Sequence, residues 1–572
     1  KCFYQMYQNG VIPNRVTYIS ILSLCMNTSS KRNNPQESIH ASKCNNFQFF
    51  HALAVSNDLN HDVVASTAII NMYGKVGNVH YARNIFDDMP DRNVISWNSM
   101  IAVYTQHCQR KQALQLFYGM HQENVLSSRL TFINILEACS DHSSFNEGKR
   151  LHVFIRSNGF EADIVITNAL LNMYGKCHRL GDVKELFEDA TNRNDITWNV
   201  VITCYAQNQE GDTALVLFNQ MLQEGSMPNK VTYIAVVDAC IIQEDLLKGS
   251  QVHAQIVASH LKLDCMVRNC LLNLYTKCDE VLIAQEMFEE ELEHDVFAWS
   301  AMIGGFSQQG KYKETLFLFY QMRQDGVIPN KITYVSILAA CSSQAAHMEG
   351  KRIHAIIKSQ GLELDLIIAN SLINLHGKCG STRDAQTIFN LMPERDTISW
   401  TAMIVAYAQH GESEKARKIF YQMQKQGILP NKVTCLSIIS ACGHTGEVEE
   451  GYYWFISMNL IFGVTPIVDH YNCMIDLFGR AGQLEDAEDL IAEMPMEASV
   501  VSWMTLLAAC KCEMDLSRGI KYANKLFQLE PDSSAPYFML AVLYYRVGME
   551  DEATKILDTL NIKGIDQVSL EW

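Results

Sequence analysis

The 572-residue sequence predicts an all-α fold, an α-solenoid of two-helix repeats, on three observations. First, "VISWNSMIAVYTQ" from Val94 returns as "DITWNVVITCYAQ" from Asp195, "VFAWSAMIGGFSQ" from Val296 and "TISWTAMIVAYAQ" from Thr397, each 101 residues after the last. Second, Trp97, Met100, Ile101 and Tyr104 recur at i, i+3, i+4 and i+7, the stripe of an amphipathic helix. Third, the period divides into units of 35, 35 and 31 residues. A two-helix unit of that size cannot bury its apolar face alone, so neighbours stack on it and leave a long concave surface.

Within a unit the second helix carries Ala113, Phe117 and Met120, spaced four and three, and the same places hold Ala214, Phe218 and Met221, then Ala416, Phe420 and Met423. Units close with "GVIPN" (Gly10 to Asn14 and Gly326 to Asn330), "GSMPN" (Gly225 to Asn229) or "GILPN" (Gly427 to Asn431). Glycine supplies a left-handed C-terminal cap and proline stops the helix, so the next helix starts afresh. Residues 1–14 read as the second half of a truncated repeat. The unit Arg15 to Asp62 is 13 residues longer than its counterparts, with the excess between Cys25 and His51.

Composition bounds the function. A formal charge of −17 and a pI near 5.5 speak against unspecific polyanion binding, so any nucleic-acid site is local. Hydrophobic content of 48% supports a sizeable core, and no run of 18 apolar residues suggests a membrane span, so the expectation is a soluble protein. Of 18 cysteines, Cys139, Cys240, Cys341 and Cys442 follow the period, as do Cys177, Cys278 and Cys379, the behaviour of small core residues in a reducing compartment. The absence of C-x-x-C removes the usual zinc-ribbon and thioredoxin spacing. H-x-E at His121 to Glu123 and at His410 to Glu412 lacks the P-C-x-x-C that a zinc deaminase needs, and both are read as coincidence. The periodic His51, His152, His253 and His354 lie whole units apart, too distant to share a metal, and are read as packing residues.

The residue after each tryptophan-equivalent position alternates. It is Thr67, Asn98, Asn168, Asn199, Asn269, Ser300, Asn370, Thr401 and Asn472 in most units, but Ile19, Ile133, Ile234, Val335 and Leu436 in every third one. A helix cap explains small polar residues, but not why a fixed third of the units abandon them. The alternation therefore favours side chains that hydrogen-bond a base edge, one base per repeat. The tryptophans (Trp97, Trp198, Trp299, Trp400) and the equally regular Gln106, Gln207, Gln308 and Gln409 are expected to answer to packing. Lys75, Lys176, Lys277, Lys378 and Arg480 recur at one position near the end of the first helix. Phosphate tracking and complementing the helix dipole both account for them.

These features resemble the pentatricopeptide repeat family, in the plant organelle subclass that cycles long, short and ordinary repeats. The ordinary unit looks like 94–128, 195–229, 296–330 and 397–431; the long one like 129–163, 230–264 and 331–365; the short one, with "NMYGK" or its relatives, like 63–93, 164–194, 265–295 and 366–396. Residues 432–467 and 468–499 resemble the family's closing pair. The stretch from Val500 to about Gln567 resembles its E1 (500–533) and E2 (534–567) extensions, the latter tetratricopeptide-like around "QLEPDSSAPYFMLAVLYYRVG", before a tail at 568–572.

The resemblance implies a right-handed superhelix, no cofactor, no catalytic residues in this chain, and single-stranded RNA in a mitochondrion or chloroplast as partner. It implies a second reader at the last residue of each unit: Asn93, Ser128, Asn194, Asn229, Asp295, Asn330, Asp396, Asn431 and Ser499. A turn preference for Asn and Asp explains those residues equally well. The family's pairing rules imply the tract 5′-A-C-N-Y-Y-N-U-A-N-U-A-N-C, with an edited cytidine some four nucleotides further 3′. The deaminase would lie beyond this chain or be recruited in trans through residues 500–567. A non-editing organelle RNA factor and a tetratricopeptide-type protein scaffold are the rival readings.

Overall fold

The computed structural model describes residues 62–562 apart from 142–143, 161, 191, 260–263, 291–293 and 532, together with Thr17 and Ser20. The truncated repeat at 1–14, the excess between Cys25 and His51, Ile19, His51, the last residues of the E2-like stretch and the tail at 568–572 lie outside the described residues. The chain forms two compact units, Lys1–Cys278 and Asp279–Trp572. Both are all-α: among the described residues every regular element is a helix.

In each compact unit the helices come as antiparallel hairpins whose boundaries follow the repeats cut from the sequence. In the first, Val94–Gln106 pairs with Arg110–Gln122, Arg129–Ala138 with Phe145–Ser157, and Ile164–Lys176 with Leu180–Asp189. Each first helix packs on its own second helix and on the first helices before and after it, so the first helices form the inner spine of the stack. A first helix is therefore clothed by neighbours on nearly every side, which is why its apolar residues crowd around most of its circumference rather than one stripe. The second helices touch fewer partners and are conventionally amphipathic. Ala113, Phe117 and Met120, and their counterparts Ala214, Phe218 and Met221, are buried as the spacing predicts.

The glycines of the closing turns adopt left-handed backbone, φ 77° at Gly225, 75° at Gly326 and 72° at Gly427, where a side chain would be strained. A second glycine role comes from close packing: a Cβ at Gly249 would stand 2.7 Å from Leu274 Cδ2 of the next unit.

The tryptophans answer to packing. Trp97 meets Phe86 edge to face at 4.9 Å between ring centres, and Trp198 meets Phe187 at the same distance. In the second compact unit Phe288 meets Trp299 at 4.8 Å and Phe389 meets Trp400 at 4.9 Å. Each pair joins the second helix of a short unit to the first helix of the ordinary unit that follows. The glutamines do not share this role: Gln106, Gln207, Gln308 and Gln409 are all exposed. They close the first helix, where the side chain leaves the packed spine for solvent, and the packing expectation is corrected for them.

The in-phase Cys139, Cys240, Cys341 and Cys442 are buried free thiols. Burial pushes Cys139, Cys341 and Cys442 up to about 12 and Cys240 to about 11, so they stay protonated. The periodic histidines are half-buried and bonded to the next unit: His152 Nδ1 lies 2.8 Å from the Tyr174 hydroxyl and His253 Nδ1 2.8 Å from that of Tyr275.

Candidate nucleic-acid interface

The last residue of each unit is the N-cap of the next first helix. Asn93 Oδ1 accepts from the N–H groups of Ile95 and Ser96 at 3.0 Å, Asn194 Oδ1 from Thr197 N at 2.9 Å, and Asn229 Oδ1 from Val231 N at 2.9 Å. Ser128, Asp295, Asn330, Asp396, Asn431 and Ser499 cap in the same way. Capping accounts for Asn, Asp and Ser at this position through helix chemistry rather than through the turn that the sequence suggested. In most of these units a serine or threonine three residues on returns a bond to the cap, completing a capping box. The spacing Asn93/Ser96, Ser128/Thr131 and Asn194/Thr197 was visible in the sequence and went unread.

The alternating residue is therefore not a cap: it is the fifth residue of the helix. Thr67, Asn98, Asn168, Asn199, Ser300, Asn370 and Thr401 are all buried, and Asn269 and Asn472 are half-buried. Buried polar side chains need partners, and several find them in the cap at the far end of their own unit. Asn98 Nδ2 donates to Ser128 Oγ at 3.1 Å, Asn199 Nδ2 to Asn229 Oδ1 at 3.3 Å, Ser300 Oγ to Asn330 Oδ1 at 3.3 Å, and Asn370 Nδ2 to Asp396 Oδ1 at 3.2 Å. Thr401 reaches Asn431 through the Thr434 hydroxyl, 2.7 Å from Thr401 and 2.9 Å from Asn431 Oδ1. Asn472 reaches Ser499 through Ser502 in the same manner. Thr67 bonds only its own helix, at Val63 O. In six of these units two residues 26 to 30 positions apart, singled out separately from sequence, are thus joined, directly or through one hydroxyl, into a polar pair.

The helix member of each pair is buried, or half-buried at Asn472, whereas the cap is exposed or half-exposed. Burial opposes ionisation of Asp396, but bonds from the Ser399 N–H and hydroxyl and from Asn370 outweigh it and hold the carboxyl below the usual range. At neutral pH it is an acceptor only.

A feature missed in the sequence flanks the pairs. The second residue of most first helices, two after the cap, is apolar and solvent-facing: Ile95, Val165, Ile196, Phe297, Ile367 and Ile398 are 40% to 60% exposed, whereas the helix Val468–Arg480 has Asp469 there. Scattered exposed apolar residues are ordinary, but one in most units at a fixed register beside a polar pair makes a row of flat contacts suited to the face of a base. No sequence signal distinguishes it, because buried aliphatic residues surround it in the same helix.

The long units are built otherwise. Ile133, Ile234, Val335 and Leu436 are half-exposed, and the caps that close the first three long units are tied up by cations: Asp163 by Arg129 at 2.6 Å, Asp264 by Lys230 at 3.6 Å, and Asp365 by Lys331. Neither member offers an unengaged hydrogen-bonding edge.

Lys75, Lys176, Lys277 and Lys378 sit in the last turn of their helices, exposed and with no ion-pair partner among the described residues. Arg480 is paired with Asp476 at 2.8 Å. Behind the caps of two short units, Arg92 and Arg193 lie over Phe86 and Phe187 at 5.0 and 4.4 Å and bond the carbonyls that end the preceding helix, holding the chain just before Asn93 and Asn194. Arg395 does the same before Asp396.

Metal-ligand chemistry gathers at Cys442, Glu447 and Glu450, whose ligand atoms lie within 4.8 Å of one another. Arg417 bonds both carboxylates, so their charge is already partly offset. No described helix is long and apolar enough to cross a membrane.

Comparison with known proteins agrees with the helical repeat fold. The family described as "PPR repeat family" matches residues 193–241, 294–343 and 395–444, and "PPR repeat" matches 64–94, 95–125, 367–397, 433–459 and 469–497. The chain is 35% identical to the chloroplastic pentatricopeptide repeat-containing protein At1g11290 of Arabidopsis thaliana, over 90% of this chain and 64% of that protein. It is 32% identical to At2g13600 of the same plant, over 92% and 85%, and 33% identical to the mitochondrial At2g03380, over 89% and 74%. The chain thus spans just under two thirds of the first relative's length. Among solved structures, maize PPR10 aligns with a TM-score of 0.54 at 18% identity, covering 96% of this chain and 87% of that one. PPR10 in complex with an 18-nucleotide psaJ RNA element aligns with a TM-score of 0.52 at 18% identity, covering 98% and 93%.

Proposed function

This chain belongs to the pentatricopeptide repeat family, and we propose that it binds single-stranded organelle RNA, reading one nucleotide in each short or ordinary unit. The observation that carries the reading is the polar pair, a buried or half-buried Asn, Ser or Thr linked directly or through one hydroxyl to an exposed or half-exposed cap, seen in six of the nine short, ordinary and closing units and absent from the long ones. The base edge meets the pair, its face rests on the exposed apolar residue beside the cap, and the lysines at Lys75, Lys176, Lys277 and Lys378 meet phosphates. Such local cations act on RNA even in a chain of net charge −17. The RNA-bound maize relative of the same fold supports this reading, and the organelle names of the Arabidopsis relatives support a chloroplast or mitochondrial location.

The finer role is designation of a cytidine for C-to-U editing, with the deaminase recruited through the hairpins Val500–Glu513 with Leu516–Leu529 and Ala535–Val547 with Glu550–Ile562. It rests on the resemblance of residues 500–567 to the E1 and E2 extensions.

The test is binding of the purified chain to 5′-A-C-N-Y-Y-N-U-A-N-U-A-N-C RNA and to single-base variants opposite Ser300 and Thr401. A base contact of ~1 to 3 kcal/mol, by analogy with groove readout, makes each swap cost about five- to a hundredfold. Ser300→Asn or Thr401→Asn moves the preference there from adenine to a pyrimidine. Equal binding of all the RNAs defeats the proposal and leaves the protein-scaffold reading.

A further inference from the structure

Two adjacent non-long units of the first compact unit carry the same pair, Asn168 with Asn194 and Asn199 with Asn229, yet their hydrogen bonds differ. Asn229 Oδ1 is committed to the helix cap, accepting from Val231 N at 2.9 Å and Thr232 N at 3.3 Å. An oxygen so placed can only accept, so Asn199 turns Nδ2 toward it at 3.3 Å. The carbonyl end of Asn199 then receives the Thr232 hydroxyl, Oγ1 to Oδ1, at 2.5 Å, much closer than that hydroxyl's 3.4 Å to the cap oxygen Asn229 Oδ1.

In the preceding pair the equivalent hydroxyl goes elsewhere. Thr197 Oγ1 donates to the cap oxygen Asn194 Oδ1 at 2.9 Å, and Asn168 Oδ1, on a side chain 9% exposed, has no partner. Asn370 follows the second pattern: Ser399 Oγ donates to Asp396 Oδ1 at 2.8 Å, and Asn370 Oδ1 is buried and unpaired. Asn98 Oδ1, on a side chain 5% exposed, is likewise unpaired. Asn472 follows the first pattern, its Oδ1 receiving Ser502 Oγ at 2.6 Å.

Resting on the base-reading function above, we propose that the hydroxyl three residues after the cap, where one is present, is a positioning residue that sets which hydrogen-bonding edge the reader asparagine offers. Where it bonds the reader, as at Thr232 and Ser502, the carbonyl is closed and the site offers donors only. Where it bonds the cap, as at Thr197 and Ser399, the carbonyl is unpaired and screened from water, open only to a donor that wedges in beside it. A buried carbonyl with no partner gains a full bond when a donor arrives, so open sites reward a base amino or imino hydrogen and closed sites do not. Units with the same two reader residues thus differ in what they read.

The experiment replaces cytidine, one nucleotide at a time, by pyrimidin-2-one ribonucleoside, which is cytosine without its amino group, at the nucleotides facing Asn168 and Asn199. Affinities are measured at one salt concentration, with melting temperatures of every variant. The intact chain loses about three- to tenfold at the Asn168 nucleotide, the worth of one bond, and less than about twofold at the Asn199 nucleotide. Thr232→Val, which keeps the branched shape, acquires the three- to tenfold loss at the Asn199 nucleotide, and Thr232→Ser keeps the original profile. Thr197→Val loses a comparable cap bond and melts lower but leaves the Asn199 profile alone, which separates positioning from stability. Equal losses at the two nucleotides in the intact chain, or an unchanged profile in Thr232→Val, overturn the proposal. Purines bound as tightly as cytosine at both nucleotides overturn the base-reading function itself, a distinct result.

Discussion

The ordinary unit Asp195–Asn229 and the long unit Lys230–Asp264 lie side by side in the same stack, and they reverse the usual partition of polar and apolar side chains. In the ordinary unit a polar residue, Asn199, is buried; in the long unit the equivalent Ile234 is half-exposed. The cap of the ordinary unit, Asn229, is exposed and bonded only to neutral groups, whereas the cap of the long unit, Asp264, is held by Lys230 at 3.6 Å. Burying an amide costs free energy unless it is bonded, so the ordinary unit needs hydrogen bonds to Asn229 and from Thr232 to hold Asn199 inside. Placing a polar pair at cost in some units, and a plain aliphatic with a locked carboxylate in every third, is what a surface that reads in some places and spaces in others requires.

The contrast is sharpest in the core. Trp198, fully buried against Phe187, is expected to cost about 3 to 5 kcal/mol on Trp198→Ala, and the half-exposed Ile234 about 1 kcal/mol on Ile234→Ala. Urea denaturation measures both. Similar losses would mean that the two units are packed alike and that exposure at Ile234 has no significance.

A second test concerns whether the long–short step is the same in every cycle. His152 and His253 bond tyrosines, Tyr174 and Tyr275, but His354 bonds His376, Nδ1 to Nε2, at 3.0 Å, and Glu363 at 3.0 Å. Burial, with His354 beside it, lowers His376 to about 4. An unfolded histidine titrates near 6.5, so as pH falls the unfolded chain takes up the proton first. Stability therefore declines between about 6.5 and 4 and levels off below, by on the order of 3 kcal/mol at most. His376→Tyr, which restores the pattern of the other cycles, is expected to flatten the melting temperature over that pH window. A slope that survives the substitution places its origin elsewhere.

The smallest effects are at the caps. Asn229→Ala and Asp264→Ala each remove an N-cap and are expected to cost about 1 kcal/mol of stability. Only Asn229→Ala should flatten base preference at one nucleotide. If Asp264→Ala does so as well, long units read too, and the distinction between the two kinds of unit fails at its functional end.

Much of this was legible before any coordinates. The 101-residue period, the hairpin in each unit and the positions where helices begin follow from apolar spacing and from Gly, Pro and Asn punctuation, and the helices start where the units were cut, at Val94, Arg129 and Ile164. The alternating residue was visible because Asn, Ser and Thr stand out against Ile, Val and Leu. Its setting was not: a polar residue after a tryptophan near a helix start reads as an exposed cap, whereas Asn199 is the buried fifth residue of its helix and the cap of that helix is Asn194. The regular glutamines misled in the opposite sense, since regularity alone does not separate a packed residue from an exposed helix end.

The amino-acid sequence by itself determined the repeat, its length and its helices, because those depend on local periodicity and on residues that stop or start a helix. Only the tertiary structure decided which atoms meet. Whether Ile196 faces solvent or core, whether the Thr232 hydroxyl goes to Asn199 or to the cap, and whether Asn168 keeps an unpaired carbonyl depend on stacking one unit against the next. The spine helices are apolar on nearly every side, so their own pattern cannot say which side is left open.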